Sequence, residues 1–426
     1  MVLGSLRQEV AQFLKQHSQL KKPLLLGFSG GADSLSLAHI LLSLNHPFHV
    51  AHFDHGWREE SKEECKQLEN WAKSHKIPFY SESSPSPDLS ENGARRERVA
   101  FFEKLFASEE YEALVLAHHR GDHVETILKR LLEGAHLINC KGIEPRSVRE
   151  SMPIWRPLLT ISKSKILKFV DEQGLNPIED KSNFDPKYLR ARMRGTIIPL
   201  LSKEFGKEVE SPLVSIGNQA KSLQAYLDKK TSSYSPVVGP FGKMWDFSCA
   251  HPVEIEHVLS KQFSCSRNII EKLIRAVESS EANFHVHFGE HKLIVDRQKV
   301  FWIERPLPKF CENIPLGAKT IYQEEWQWEI QTGGSLTHEE PWLSFWKGKI
   351  SLALPKGEYH LAPASPYYRK KWQNGKVPAF MRDCLPIILK NGKPVAEFLL
   401  GTKNEDPSFC VAIAIKNKNL LQLNEA

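Results

Sequence analysis

The chain has 426 residues, 41% of them hydrophobic and 25% charged, a composition that excludes disordered and collagen-like classes and supports a sizeable core. Its length exceeds the roughly 250 to 300 residues at which single cores stop growing, so two or three domains are expected. The formal net charge of +6 admits an anionic partner without requiring one.

In chain order, "MVLGSLRQEVAQFLKQHSQLKKP" reads as an amphipathic helix without the apolar stretch of a secretory signal. No apolar run reaches the roughly 18 residues of a membrane helix, and the seven cysteines form no C-x-x-C pair, which fits reduced thiols. The expected compartment is the cytoplasm, with no membrane partner. From residue 23 to about 133 short apolar runs alternate with helical periodicity, the βαβα pattern of a parallel sheet covered by helices. "PLLLGF", "PFHVAHFD", "PFYSES" and "ALVLAHH" read as strands; "DSLSLAHILLSL", "SKEECKQLENWAKSHK", "GARRERVAFFEKLFASEE" and "DHVETILKRLLEG" read as helices.

Residues 134–160 read as a Pro-containing connection, followed by the helix "SKSKILKFVDEQG". Beyond Pro212 come the helical "GNQAKSLQAYLDKK", "PVEIEHVLSKQF" and "SRNIIEKLIRAVESS", then a β-meander in "FHVHFGEHKLIVDRQKVFWIE". The tail from about 320 alternates strands with Trp and Pro, and Asn391-Gly392 is a hairpin turn signal. The expected fold is α/β, a doubly wound, mostly parallel sheet over 1–212, then a small helical domain over 213–318 and a C-terminal β-rich domain over 319–426.

After the first strand stands Ser29-Gly30-Gly31-Ala32-Asp33-Ser34. In a parallel sheet this loop feeds a helix N-terminus, whose free amides attract anions. Gly30 and Gly31 let a phosphate approach the backbone, and Ser29 and Ser34 offer hydroxyl donors. Asp33 repels phosphate unless a cation such as Mg²⁺ bridges the two. A Walker A loop and a G-x-G-x-x-G loop are both excluded by the residues present. The plain alternative is a tight turn in which Asp33 or Ser34 caps the helix.

S-G-G-x-D-S in this place resembles the pyrophosphate loop, or PP-loop, of the N-type ATP pyrophosphatases. Members of that superfamily cleave ATP between the α and β phosphates and activate an oxygen of a second substrate as an adenylate. Four further segments resemble one family within it, the tRNA(Ile)-lysidine synthetases. "AHFDHGWREES" carries His52, Asp54, His55 and Arg58, with Trp57 in place of the usual Leu. "ENGARRERVAFFEK" carries Arg95 and Arg98, three apart on a helix and able to share a face. "LAHHRGDHVET" carries His119, Asp122 and Glu125, the last two also readable as a capping box; Gly121 and His123 depart from the family pattern. Zinc is disfavoured because the spacing of His118, His119 and His123 is not a common zinc signature. "EDKSNFDPKYLRARMRGTIIPLL" carries Asp180, Asn183, Arg190 and Arg194, with Ala191 replacing the usual Asn, and is the densest basic patch, suited to an RNA backbone. In the tail, Lys370, Lys371 and Arg382 stand among Tyr367, Tyr368 and Trp372; they suit phosphate contacts and base stacking, or else an aromatic core with solvated lysines.

The resemblance implies ATP-dependent ligation of free L-lysine to C2 of the wobble cytidine in the CAU-anticodon isoleucine tRNA, changing codon reading from AUG to AUA. It implies ATP and Mg²⁺ as cofactors, with Ser29 to Ser34, His52 and Asp54 at the nucleotide and Mg²⁺ on Asp33. Asp33, His119, Asp122 and Glu125 are the expected catalytic residues; Asp122 or Glu125 takes the lysine ammonium and its proton. His55, Arg58, Arg95, Arg98, Asp180, Asn183, Arg190, Arg194, Lys370, Lys371 and Arg382 are expected to touch lysine or tRNA. A homodimer is compatible with this reading. The rival classes are a PP-loop tRNA thiolase, an adenylating amide ligase and a non-enzymatic RNA-binding module.

Overall fold

The computed structural model describes residues 5–56, 61–84, 91–178, 186–263, 265–289, 291–333, 340–401 and 409–418. It divides into two compact units, Met1–Ala225 and Tyr226–Ala426. Among the described residues no helix is long and apolar enough to cross a membrane.

The first unit runs α1 (Leu6–His17), β1 (Leu24–Gly27), α2 (Ala32–Ser43), β2 (Phe48–Asp54), α3 (Ser61–Ser74), β3 (Phe79–Ser83), α4 (Glu91–Ser108), β4 (Leu114–Val115), α5 (Arg120–Leu132), β5 (Arg146–Arg149), β6 (Met152–Trp155), α6 (Lys163–Glu172), α7 (Leu189–Arg192), α8 (Ile198–Glu204) and most of α9 (Glu210–Lys230). Its six strands lie in the order β3-β2-β1-β4-β6-β5, all parallel except the edge strand β5. Period-two alternation decides the two faces. Leu24, Leu26, Phe48, Val50 and Val115 join one core with α1, α2, α3 and α6. Leu25, Ala51, Phe53 and Leu114 join another, against Phe101 and Phe102 of α4. Burial on both faces explains why β1 is a continuous apolar run.

Residues 134–160 differ from the expected connection, because they contain the hairpin β5–β6 and β6 pairs in parallel with β4. The four residues of β6, "MPIW", include a proline and are too short for a periodic signal. Between α7 and α8, Met193–Ile197 form one π-helical turn just ahead of Pro199, whose missing N–H disturbs the preceding ladder.

In the second unit, β7 (Val237–Gly239), β8 (Gly242–Asp246), α10 (Pro252–Gln262), α11 (Arg267–Glu278), β9 (Phe284–Phe288), β10 (His291–Asp296) and β11 (Lys299–Ile303) build a sheet of order β7-β8-β11-β10-β9 with the helix pair on one face. Then follow β12 (Ile314–Pro315), β13 (Lys319–Gln323), β14 (Trp326–Thr332), α12 (Pro341–Trp346), β15 (Lys349–Leu354), β16 (His360–Ala362), α13 (Arg369–Asn374), β17 (Ile387–Lys390), β18 (Lys393–Glu397) and β19 (Phe409–Asn417), in sheets β12-β16-β17-β18 and β13-β14-β19-β15. An aromatic core holds Trp326, Trp328, Trp346 and Trp372 and also draws in Phe241 and Phe301 from before residue 318. The β17–β18 turn has Asn391 at φ 49° and Gly392 at φ 73°, the two positive angles that a type I′ hairpin turn needs.

Candidate active site

The carboxyl edge of the first sheet gathers most of the expected residues. Gly30 has φ 77°, a backbone conformation that favours glycine, and a Cβ there would press on the Leu68 side chain at 2.6 Å. Its carbonyl accepts from Ile178 N at 3.0 Å. Gly31 is the N-cap of α2 and supplies no side-chain cap, which leaves the first amides of the helix for an anion. Ser29 Oγ and Ser34 Oγ lie 3.1 Å apart, and Ser34 Oγ donates to Gly31 O at 3.2 Å.

Asp33 projects from the first turn of α2, and Lys163 Nζ, at the start of α6, donates to its Oδ1 at 2.7 Å. Ser162 caps α6, and Arg120 N donates to Ile161 O at 2.9 Å, which ties this segment to the start of α5. Lys163 was not singled out in the sequence. It is the ammonium that the glycine loop lacks, delivered from another part of the chain.

His119 is the N-cap of α5: its Nδ1 accepts from Gly121 N at 2.9 Å, and its own amide donates to Asp122 Oδ2 at 2.8 Å. The capping box is thus His119 with Asp122, three residues ahead of the expected pair, because the helix begins at Arg120. A backbone N–H on Nδ1 leaves the ring proton of the neutral form on Nε2. That nitrogen stands 3.7 Å from Asp122 Oδ2 and 4.0 Å from Asp33 Oδ2. The imidazole is buried, and burial lowers its pKa against the opposing pull of Asp122 and Asp33.

Arg194 leaves the π-helical turn to meet two carboxylates. Its Nε donates to Glu125 Oε1 at 2.8 Å, and a terminal nitrogen donates to Asp122 Oδ1 at 3.1 Å. One arginine of the expected basic patch is therefore engaged by these two carboxylates, though its side chain stays 43% exposed. Burial raises Asp122, but His119, His118, the His119 amide and Arg194 outweigh it, and its carboxyl sits below the usual range. Glu125 goes the other way, because burial raises it and Arg194 offsets only part of the rise. Its Oε2 is buried with no hydrogen-bond partner.

Other expected residues have different surroundings. His52 Nδ1 donates to Phe28 O at 2.9 Å. Asp54 accepts from Gly56 N at 2.8 Å and from Ser61 Oγ at 3.0 Å, so both oxygens close the turn after β2. The ring of His55 stands edge-on to Phe53, and burial and Arg98 lower its pKa. Burial and the charges of Arg95 and Arg190 depress the pKa of Arg98. A cavity of about 480 Å³ lies against Arg95, Arg96, Val99 and Arg149. His123 Nδ1 accepts from Ile143 N at 3.0 Å. Arg58, Asp180 and Asn183 lie outside the described residues.

In the second unit Lys371 Nζ donates to the buried Glu397 at 3.1 Å, and Trp372 Nε1 donates to the same carboxylate at 2.7 Å. Arg382 donates to Val377 O. Tyr368 and Trp372 are buried, while Lys370 and Tyr367 are exposed.

A glycine-rich phosphate loop at the carboxyl edge of a parallel sheet, with an Asp–Lys pair beside it, defines a PP-loop nucleotide-binding protein, and the PP-loop domain family matches residues 3–201. The chain is 34% identical over 429 residues to "tRNA(Ile)-lysidine synthase" of Protochlamydia amoebophila (strain UWE25), covering 93% of each chain. It is 40% identical over 220 residues to the protein of the same name from Chlamydia pneumoniae, covering 50% of this chain and 69% of that one. The chain belongs to the tRNA(Ile)-lysidine synthase family. A solved structure, the U34-tRNA thiolase NcsA from Methanococcus maripaludis, superposes with TM-score 0.43 at 14% identity, over 51% of this chain and 77% of that chain.

Proposed function

We propose that this protein joins free L-lysine to C2 of the wobble cytidine in the CAU-anticodon isoleucine tRNA, consuming ATP and releasing AMP and pyrophosphate. What carries the reading is similarity to a lysidine synthase over 93% of both chains, together with one crevice edge that holds a phosphate loop and two carboxylates whose pKa values are pushed in opposite directions. Cytosine O2 attacks the α-phosphorus of ATP, an O–P bond forms, and the α–β bridge breaks to release pyrophosphate. The lysine ε-amine then attacks C2, and the C2–O bond breaks with AMP as the leaving group.

The amides of α2, Ser29, Ser34 and Lys163 bind the phosphates. Asp33 fits Mg²⁺, since Oδ2 is left without a hydrogen bond among the described residues while Lys163 holds Oδ1. Asp33 is the side chain that would hold the ion, which would supply charge neutralisation for the phosphates. Free lysine has a pKa of about 10.4 and must lose a proton to act. Asp122 holds the ammonium, and Glu125, with its raised pKa and unpartnered oxygen, takes the proton.

The target base must leave its stack to reach such a crevice. Residues 213–318 and 319–426 hold the tRNA body, with Lys370 and Tyr367 as the exposed tail contacts. The protein works in the cytoplasm, as a monomer or a homodimer. The test is to mix protein, ATP, Mg²⁺, labelled lysine and isoleucine tRNA, then locate the label. Label in the anticodon nucleoside is the expected result; label at the acceptor end identifies an aminoacylating enzyme and ends the reading.

A further inference from the structure

His118 stands beside the expected catalytic His119, past the end of β4. Beyond β4, Leu116 N donates to Trp155 O at 2.9 Å, and the next residues bring His118 alongside Arg156. Arg156 is 9% exposed. It is pinned by NH1 donating to Glu144 O at 2.9 Å and Ser147 Oγ at 3.0 Å, while its Nε donates to His118 Nδ1 at 3.2 Å. A guanidinium has no acceptor and keeps its protons. His118 Nδ1 must therefore be the lone-pair nitrogen, and the proton of the neutral ring sits on Nε2.

That Nε2 makes no hydrogen bond among the described residues, and the ring is partly exposed. The charged groups that act on it are Asp122 from α5, Arg156 beyond β6, Arg98 from α4 and Arg190 from α7. Three cations thus stand against one anion, and Arg98 has no hydrogen bond or ion pair among the described residues. His119 also carries its proton on Nε2, but that nitrogen stands between the carboxylates of Asp33 and Asp122. Two consecutive residues at one strand end thus present N–H donors in opposite electrostatic settings.

We infer that His118 donates its Nε2–H to a phosphoryl oxygen of the reacting complex, and that Arg156 is the positioning residue that holds the ring in this tautomer. The role rests on the proposed reaction, in which charge develops on the α-phosphoryl oxygens as cytosine O2 attacks, and a fixed neutral donor stabilises such charge without reorganising. Burial, aided by Arg156, Arg98 and Arg190 against Asp122, keeps the ring neutral through physiological pH.

The test begins with ¹⁵N-histidine NMR of the full chain without substrates. It should show His118 with a bare Nδ1 and a protonated Nε2 near neutral pH, and Arg156→Met should let the ring titrate at higher pH. A protonated Nδ1 in the wild type overturns the inference whether or not lysine is ever transferred; failure of the labelled-lysine assay alone would sink the proposed reaction and leave the tautomer standing. Single-turnover adenylation and tRNA binding are then measured on His118→Leu and His118→Gln. A roughly hundredfold slower adenylation in the Leu variant, largely restored by Gln, with unchanged tRNA binding, assigns the oxygen to ATP. Weaker tRNA binding, restored by Gln, with unchanged adenylation assigns it to the tRNA backbone. A Leu variant altered only in its KM for lysine, or in nothing, overturns the inference.

Discussion

The two edges of the first sheet use the same residue types to opposite ends. At the amino edge, Glu109 accepts from Tyr80 Oη at 2.5 Å and Tyr111 Oη at 2.8 Å, with His49 Nδ1 3.1 Å from that same Tyr111 oxygen. Nearby, Glu112 accepts from Ser18 Oγ at 2.7 Å and Gln19 N at 2.5 Å, and His46 stands 3.0 Å from the serine. Each of these carboxylate oxygens has a donor. At the carboxyl edge Glu125 Oε2 is buried and unpartnered among the described residues, and Asp33 Oδ2 and His118 Nε2 lack hydrogen bonds among the described residues. Buried polar groups are normally satisfied. Saturation at one edge marks structure, and open valence at the other marks a place kept for ligands.

The comparison can be broken by substitution, and the largest effect is expected at Asp122. Asn retains an oxygen for the His119 amide but loses the charge that holds an ammonium. Asp122→Asn should slow lysine transfer by about 10²- to 10⁴-fold while pyrophosphate release continues and adenylated tRNA accumulates. Equal loss of both steps in rapid-quench assays would deny the division of labour. Next, Lys163→Met leaves Asp33 without its cation, and the KM for ATP should rise on the order of tenfold, the size expected for one charge-assisted contact of about 1.5 kcal/mol. An unchanged KM would place Lys163 among the structural residues.

A pH profile sharpens the assignment of Glu125. A base works only when deprotonated, and the raised pKa of Glu125 moves the acid limb of lysine transfer upward from where an ordinary glutamate would put it. Because Arg194 lowers that pKa, Arg194→Met should move the limb to still higher pH; a shift to lower pH would remove Glu125 from the role. The smallest catalytic effect belongs to the amino edge. Tyr111→Phe should cost about 1 kcal/mol of stability in urea unfolding and leave adenylation and transfer within about twofold. A variant that folds normally yet loses activity would erase the distinction between the edges.

Contiguous features were the ones legible in the sequence. The glycine loop, His119, Asp122 and Glu125 fall within short stretches beside strands, so period and turn chemistry placed them at one sheet edge, and Asn391-Gly392 announced its own turn. Pairings between distant residues were not legible. Nothing in "SKSKILKF" says that Lys163 will meet Asp33, and no rule of spacing sends Arg156 to His118. Arg194 was visible as charge, but its pairing with Glu125 and Asp122, 69 and 72 positions earlier, was not. Asp54 was visible as an acid in a family-like segment, while its engagement by Gly56 and Ser61 is a property of the folded turn.

The Asp33–Lys163 pair spans 130 positions of the chain, and Arg194 reaches back 72 to Asp122. Contacts of such separation incur loop-closure entropy before they return any stability, so they form late in folding. During synthesis the glycine loop leaves the ribosome well before the lysine that neutralises its aspartate, and α5 well before the arginine that holds Asp122 and Glu125. A nascent or truncated chain can therefore display the phosphate loop while lacking the groups that make it selective, and competence arrives only when the last helices of the unit close over the sheet.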